Sequence, residues 1–121
     1  MRNPAYLKRL KDESHFLATK VMGYGENNKE TPAKYIRHDG RLTGMENWNP
    51  RQNISQATLL LDKYPQVEIS KHDVDKFVVT LITKEYSTTP VAGETLQEAI
   101  VKAVLMDSGY QYKPEKEEGV K

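Results

Sequence analysis

The chain has no cysteine. Disulfides, thiolate zinc sites and a cysteine nucleophile are therefore excluded. No apolar run approaches the roughly 20 residues of a membrane span. The opening residues, MRNPAYLKRLKDES, lack the apolar centre of a signal peptide, so a cytoplasmic protein is expected. There is no marked excess of charge, with 18 Lys+Arg against 17 Asp+Glu and a net charge of +1. A duplex-DNA binder relies on a broad basic field, and that class is disfavoured. A small anionic ligand needs only a few local cations and stays open. No Gly-rich phosphate loop occurs, because GYGENNK (23–29) has neither a strand before it nor a clear helix after it. Serines 14, 55, 70, 87 and 108 lack a nucleophile-elbow context. His15, His38 and His72 fall in three different elements with no second ligand at metal spacing.

At 121 residues the chain is one domain with a modest core. Asn3 and Pro4 suit the start of a helix that runs through Leu7, Leu10, Leu17 and Val21 on one face, with Phe16 beside them. Gly23 stops it. Residues 24–33 read as a polar loop. KYIRHDGRLT (34–43) predicts a hairpin turning at Asp39-Gly40, both of which can take positive φ. Asn53, with Gln56 three residues later, caps a second helix carrying Ala57, Leu60, Leu61 and Tyr64, and Pro65 ends it. QVEIS (66–70) alternates as a strand, and KHDVD is a turn. KFVVTLIT (76–83), β-branched and nearly continuous, is the central strand. EYSTTPVAG is a third strand, pushed to an edge or its end by Pro90. Thr95 and Glu98 cap a last helix with an apolar face of Leu96, Ala99, Ile100, Ala103 and Val104, stopped by Gly109. The order is that of an α+β domain over residues 1–112, an antiparallel sheet with helices packed on its faces. Residues 113–121 form a charged tail.

Asp73 and Asp75 read as solvated turn residues rather than an acid–base pair, and nothing demands an enzyme. Polar and aromatic groups at element ends remain: Tyr24, Arg37, Trp48, Asn49, Arg51, Tyr86, Thr88, Thr89, Thr95 and Lys102. A nucleotide needs an aromatic face for its base and Arg or Lys for its phosphates, and a helix N-terminus helps to hold an anion. Trp48 is the single tryptophan, set in a polar loop before a helix. It is either a packing anchor or part of a binding surface.

Three stretches carry a resemblance: ATKVMGYG closing the first helix, WNPRQNISQATLLLDKY entering the second, and GETLQEAIVKAVL forming the last. In this order, over about residues 16–107, they resemble the phage-encoded ABA sandwich domain, and especially the Thoeris anti-defense sponge proteins of bacteriophages. The resemblance implies an α-β-α sandwich without enzymatic activity or cofactor, working in the cytoplasm of an infected bacterium. Such a sponge binds a cyclic ADP-ribose-type signal (glycocyclic ADP-ribose) made by TIR-domain sensors and keeps it from the effector. The resemblance further implies a homodimer able to assemble into larger oligomers such as a hexamer, ligand held near subunit contacts, and cyclic oligonucleotide signals at separate sites in some members. Carried onto this chain, it places Lys102 on phosphate, where the family usually has Arg, and Phe77 on adenine, with ordinary core as the competing role for Phe77. Tyr86 and Thr88 line the pocket beside the Thr95 cap, with Arg37 and Tyr24 ranked behind them. Trp48 becomes scaffold, locking its loop onto the helix. Asn49 and Arg51 then face outward and are available for a second ligand. The alternative is a phage accessory domain of the same fold that binds a protein or nucleic acid partner. Sequestration at nanomolar affinity requires about 12 kcal/mol of binding free energy, more than a small open pocket on one subunit supplies easily.

Overall fold

A computed structural model describes residues 4–27 and 33–110. The Asn3 cap, the Leu7 side chain, most of the second half of the 24–33 loop and the 113–121 tail lie outside the described residues. The described residues form a small α+β domain with three α-helices and two three-stranded antiparallel sheets. The strands thus divide into two sheets instead of joining one.

Helix α1 (Pro4–Phe16) continues into a single π-helical turn, Leu17–Val21. The wider turn is closed by Met22 N–H donating to the Leu17 carbonyl at 2.9 Å. It sends Leu17, Ala18 and Val21 into the core. Gly23 then takes φ +75°, in the region that L side chains avoid, and the helix stops there.

The first sheet holds β1 (Gly25–Asn27), β2 (Lys34–Ile36) and β3 (Leu42–Gly44) in that order. β1 was expected to be loop. The β2–β3 turn also differs in detail from the expected pattern, because Gly40 alone takes positive φ (+85°). Gly40 N–H donates to the Arg37 carbonyl at 2.9 Å, and Arg37 N–H to the Arg41 carbonyl at 2.8 Å. This is a three-residue hairpin loop that leaves Asp39 in ordinary backbone geometry. The sheet is tied to α1 through Tyr35, which is buried. Its hydroxyl shares a hydrogen bond with His15 Nδ1 at 2.9 Å, while His15 Nε2 faces Glu26 at 3.8 Å. Burial, and then the Glu26 charge, push the Tyr35 phenol up to about 12.

Trp48 is anchored on α1 rather than on the helix that follows it. Its indole N–H donates to the Ser14 carbonyl at 2.8 Å, and its ring meets Tyr24 edge-on at 5.5 Å. A buried Trp needs such an acceptor for its one polar atom. Helix α2 (Ile54–Leu59) starts at the expected cap, with Gln56 N–H donating to Asn53 Oδ1 at 3.0 Å, and tightens into a 3-10 turn over Leu60–Lys63.

The second sheet has the order β4-β5-β6, formed by β4 (Gln66–Asp73), β5 (Lys76–Ile82) and β6 (Val91–Gly93). β5 is central, as its composition predicts. β4 outlasts its expected end at Ser70, with a register shift between Lys71 and Asp73. The face carrying Val79 and Leu81, both fully buried, packs on α3 (Leu96–Asp107). α3 lies in the middle of the domain, with Ala99, Ile100, Val101, Ala103, Val104 and Leu105 all buried, and α2 packs on it as well. Its apolar surface is therefore wider than the single stripe expected. Gly109 (φ +79°) ends it. Among the described residues, no helix is long and apolar enough to cross a membrane.

Candidate functional site

The site is positioned by Gly93. A Cβ at this residue would stand 2.6 Å from the Ala99 nitrogen and 2.9 Å from its Cα. Only glycine lets the first turn of α3 lie this close to β6. That approach brings the N-terminal half of α3 beside the β4–β5 turn. Between them is a shallow cleft of about 450 Å³ lined by Asp75, Lys76, Ala92, Gly93, Glu94, Glu98 and Lys102.

The cleft carries two lysines and three carboxylates. One carboxylate is already engaged. Glu98 Oε2 accepts from Arg51 Nη1 at 3.2 Å, and its Oε1 accepts from Glu94 N–H at 2.9 Å. Thr95 Oγ1 accepts from Glu98 N–H at 3.1 Å, so the expected cap is formed, although Glu98 reaches back to Glu94 N–H. Arg51 also grips Glu13 in bidentate fashion, with Nε to Oε2 at 3.1 Å and Nη2 to Oε1. Glu13 is 3% exposed, and a buried carboxylate is tolerable only with such a partner. Arg51 is shared between Glu13 and Glu98 and offsets only part of the Glu98 charge, so the cleft sets Asp75, Glu94 and a partly compensated Glu98 against Lys76 and Lys102. The cleft can thus offer cations to phosphate and acceptors to hydroxyl groups side by side.

Of the residues expected to bind ligand, Lys102 lines this cleft and Thr95 caps the helix at its rim. Phe77 follows Lys76 and stands opposite Gly93 across the ladder, half-buried, with Lys71 Nζ 5.5 Å from its ring centre. The others lie elsewhere. Thr88 serves the sheet, its Oγ1 accepting from Leu81 N–H at 2.9 Å. Tyr86 is half exposed near the far end of α3, where its hydroxyl donates to Asp107 at 2.8 Å. That hydrogen bond raises its pKa. Tyr64 donates to the other oxygen of the same carboxylate at 2.6 Å. Tyr24 is core, stacked edge-on against Trp48 and His38, and burial raises its pKa. Arg37 stands on the hairpin loop, 3.7 Å from Asp39. Backbone N–H donation from Arg41, and then the two arginines, hold the Asp39 carboxyl below its usual range.

The expected outward face of Asn49 and Arg51 is corrected by the geometry at Arg51. The Arg51 side chain is 17% exposed and turns inward to Glu13 and Glu98. Asn49 Nδ2 donates to Gln52 at 2.8 Å, closing its own loop. Lys76, Asp75, Glu94 and Glu98 were not anticipated as neighbours of Lys102. Their juxtaposition depends on a strand turn and a helix start far apart in the chain. The one local signal is the glycine that ends β6 beside a helix cap. Among the described residues no group of three or more His, Asp or Glu is placed to hold a metal ion. No protein-family model, curated protein or solved structure matches the chain.

Proposed function

We propose that the protein binds a cyclic ADP-ribose-type nucleotide and holds it intact, as a phage anti-defense sponge that starves the effector of a bacterial Thoeris system. The observation that supports this reading is the pairing of Lys76 and Lys102 with Asp75 and Glu94 around one cleft. A diphosphate seeks ammonium groups, and ribose hydroxyls seek carboxylates. A ligand with both needs both kinds of group within one ligand's length. The role is sequestration rather than turnover, in the cytoplasm of the infected cell, and a second subunit would supply enclosure that an open cleft lacks. Cyclic oligonucleotides share the phosphate–ribose chemistry and are the natural second class to try.

The test is depletion and release. The protein is mixed with the product of a TIR sensor and removed by filtration, and the filtrate is assayed for effector activation. The retained protein is then heated and assayed again. Activity lost from the filtrate and recovered on heating is the expected result. Activity lost for good would replace the sponge with a cleaving enzyme. Activity that never leaves the filtrate would favour the accessory-domain reading, with a protein or nucleic acid as partner.

A further inference from the structure

Resting on the nucleotide reading of the cleft, we propose that Asp75 and Glu94, with Glu98 behind them, make it a charge filter. It admits a nucleotide whose phosphates form one internal diphosphate bridge and rejects a nucleoside triphosphate. A sponge must ignore ATP, which shares the adenine of the signal and far outnumbers it. The cleft opposes three carboxylates to two ammonium groups. A site built for a polyphosphate gathers cationic side chains and backbone N–H groups around it. Lys76 and Lys102 are the only cationic side chains among the residues that line this cleft.

The third carboxylate is fixed in place. Glu98 Oε1 accepts from Glu94 N–H at 2.9 Å, and Oε2 accepts from Arg51 at 3.2 Å. Glu98 is held from both ends and does not swing clear of a ligand. Its contact with Glu94 has a second effect. The Glu94 N–H is a donor at the mouth of α3, and an incoming phosphate finds it already taken by a carboxylate of the chain itself. The Glu98 N–H is taken too, since it donates to Thr95 Oγ1 at 3.1 Å. Lys102 stands one helical turn beyond Glu98 on the same face. Asp75 directly precedes Lys76 in the turn between β4 and β5. Each ammonium group therefore has a carboxylate for a neighbour.

Ligand charge then decides the outcome. A diphosphate bridge carries one charge on each phosphorus, and two ammonium groups match it. The terminal group of a triphosphate adds further charge, and only Asp75, Glu94 and Glu98 remain to meet it. Ribose hydroxyls behave in the opposite way, because they donate to carboxylates. The groups that repel extra phosphate are therefore partners for free sugar hydroxyls. Two unit charges about 6 Å apart in water change an affinity roughly threefold. Salt screens that effect at exposed groups, and Asp75 and Glu94 are both exposed.

The experiment is calorimetric titration of the full chain with cyclic ADP-ribose and with ATP, free of divalent metal, at low and at high salt. At low salt cyclic ADP-ribose should bind about tenfold more tightly than ATP, as two such charge pairs imply. High salt should shrink that preference. Glu94→Gln should narrow it about threefold, and Asp75→Asn combined with Glu94→Gln about tenfold. Both variants should melt as the wild type does, since the exchanged side chains are exposed. Equal affinities for the two nucleotides overturn the filter and leave the nucleotide reading standing. So does a preference that persists in high salt, or one that neither variant moves. If neither nucleotide binds, the nucleotide reading fails and the filter fails with it.

Discussion

Removing the Arg51 guanidinium takes a bidentate partner from a carboxylate that has almost no water around it. Glu13 is 3% exposed, and both of its oxygens accept from Arg51. The same guanidinium holds Glu98 at 3.2 Å. Arg51→Ala therefore strips a bidentate partner from one carboxylate and the second partner from another. Breaking a buried pair from one side costs about 3–5 kcal/mol, because the charge left behind loses its bidentate partner in a place with little water. Glu98, at 31% side-chain exposure, regains water and adds little. A domain of this size has about 5–15 kcal/mol of stability in total, so the variant should lose a large share of it. The exposed Lys8–Asp12 pair at 3.2 Å is the internal control, since Lys8→Ala should cost only about 0.3–0.5 kcal/mol. The assay is urea denaturation followed by circular dichroism, with the slope checked for constancy. The double variant Arg51→Met, Glu13→Leu should recover most of the loss, because two apolar groups need no ion partner. An Arg51→Ala protein within about 1 kcal/mol of wild type would refute the reasoning. It would mean that Glu13 reaches water, or takes a proton, at little cost.

Gly93→Ala places a methyl against the backbone of Ala99 at 2.6 Å, and it should cost about 1–3 kcal/mol in the same urea assay by forcing α3 off β6. Trp48→Ala empties a site 4% exposed and removes the indole hydrogen bond to the Ser14 carbonyl, so thermal unfolding should show a loss of about 3–5 kcal/mol. Lys102→Glu should leave the melting temperature unchanged and abolish ligand depletion. Unchanged depletion would remove Lys102 from the binding surface. Tyr35, raised from 10.0 to about 12, favours the neutral phenol in the folded state. Its contribution is fully present below pH 10 and is lost as pH rises through about 12. Tyr35→Phe should flatten that alkaline decline, as measured by denaturation across the pH range.

The features legible in the sequence are those whose partners lie within a few residues. The Asn53–Gln56 and Thr95–Glu98 caps are local hydrogen bonds and form as the pattern implies. Gly23 and Gly109 end their helices because a single backbone angle decides it. β5 is central because its residues suit a buried strand almost throughout. β1 is different in kind. Gly25, Glu26 and Asn27 have no strand propensity of their own, and they pair because β2 presents an edge to them. The turn expected at KHDVD shrinks to Val74 and Asp75 for a related reason, since Lys71 and Asp73 find partners in Phe77 and Lys76 across the ladder. In both cases tertiary pairing overrides local preference.

Arg51 shows the same limit at the candidate site. In sequence it stands in a polar loop after Pro50 and is naturally read as an outward-facing cation for a ligand. Its partners are Glu13, 38 residues back, and Glu98, 47 residues on. No local pattern links three such positions. Yet the difference matters for chemistry, because Arg51 partly offsets a cleft carboxylate from behind. Lys76 and Lys102 therefore meet two carboxylates at full charge and a third that is partly offset. Arg51 thus belongs to the scaffold and bears on the cleft only through Glu98. The two substitutions separate these roles. Lys102→Glu should remove binding and spare stability, while Arg51→Ala should remove stability first. A soluble, folded Arg51→Gln protein with weakened ligand depletion would show that the charge balance of the cleft, rather than Lys102 alone, sets its affinity for a phosphate.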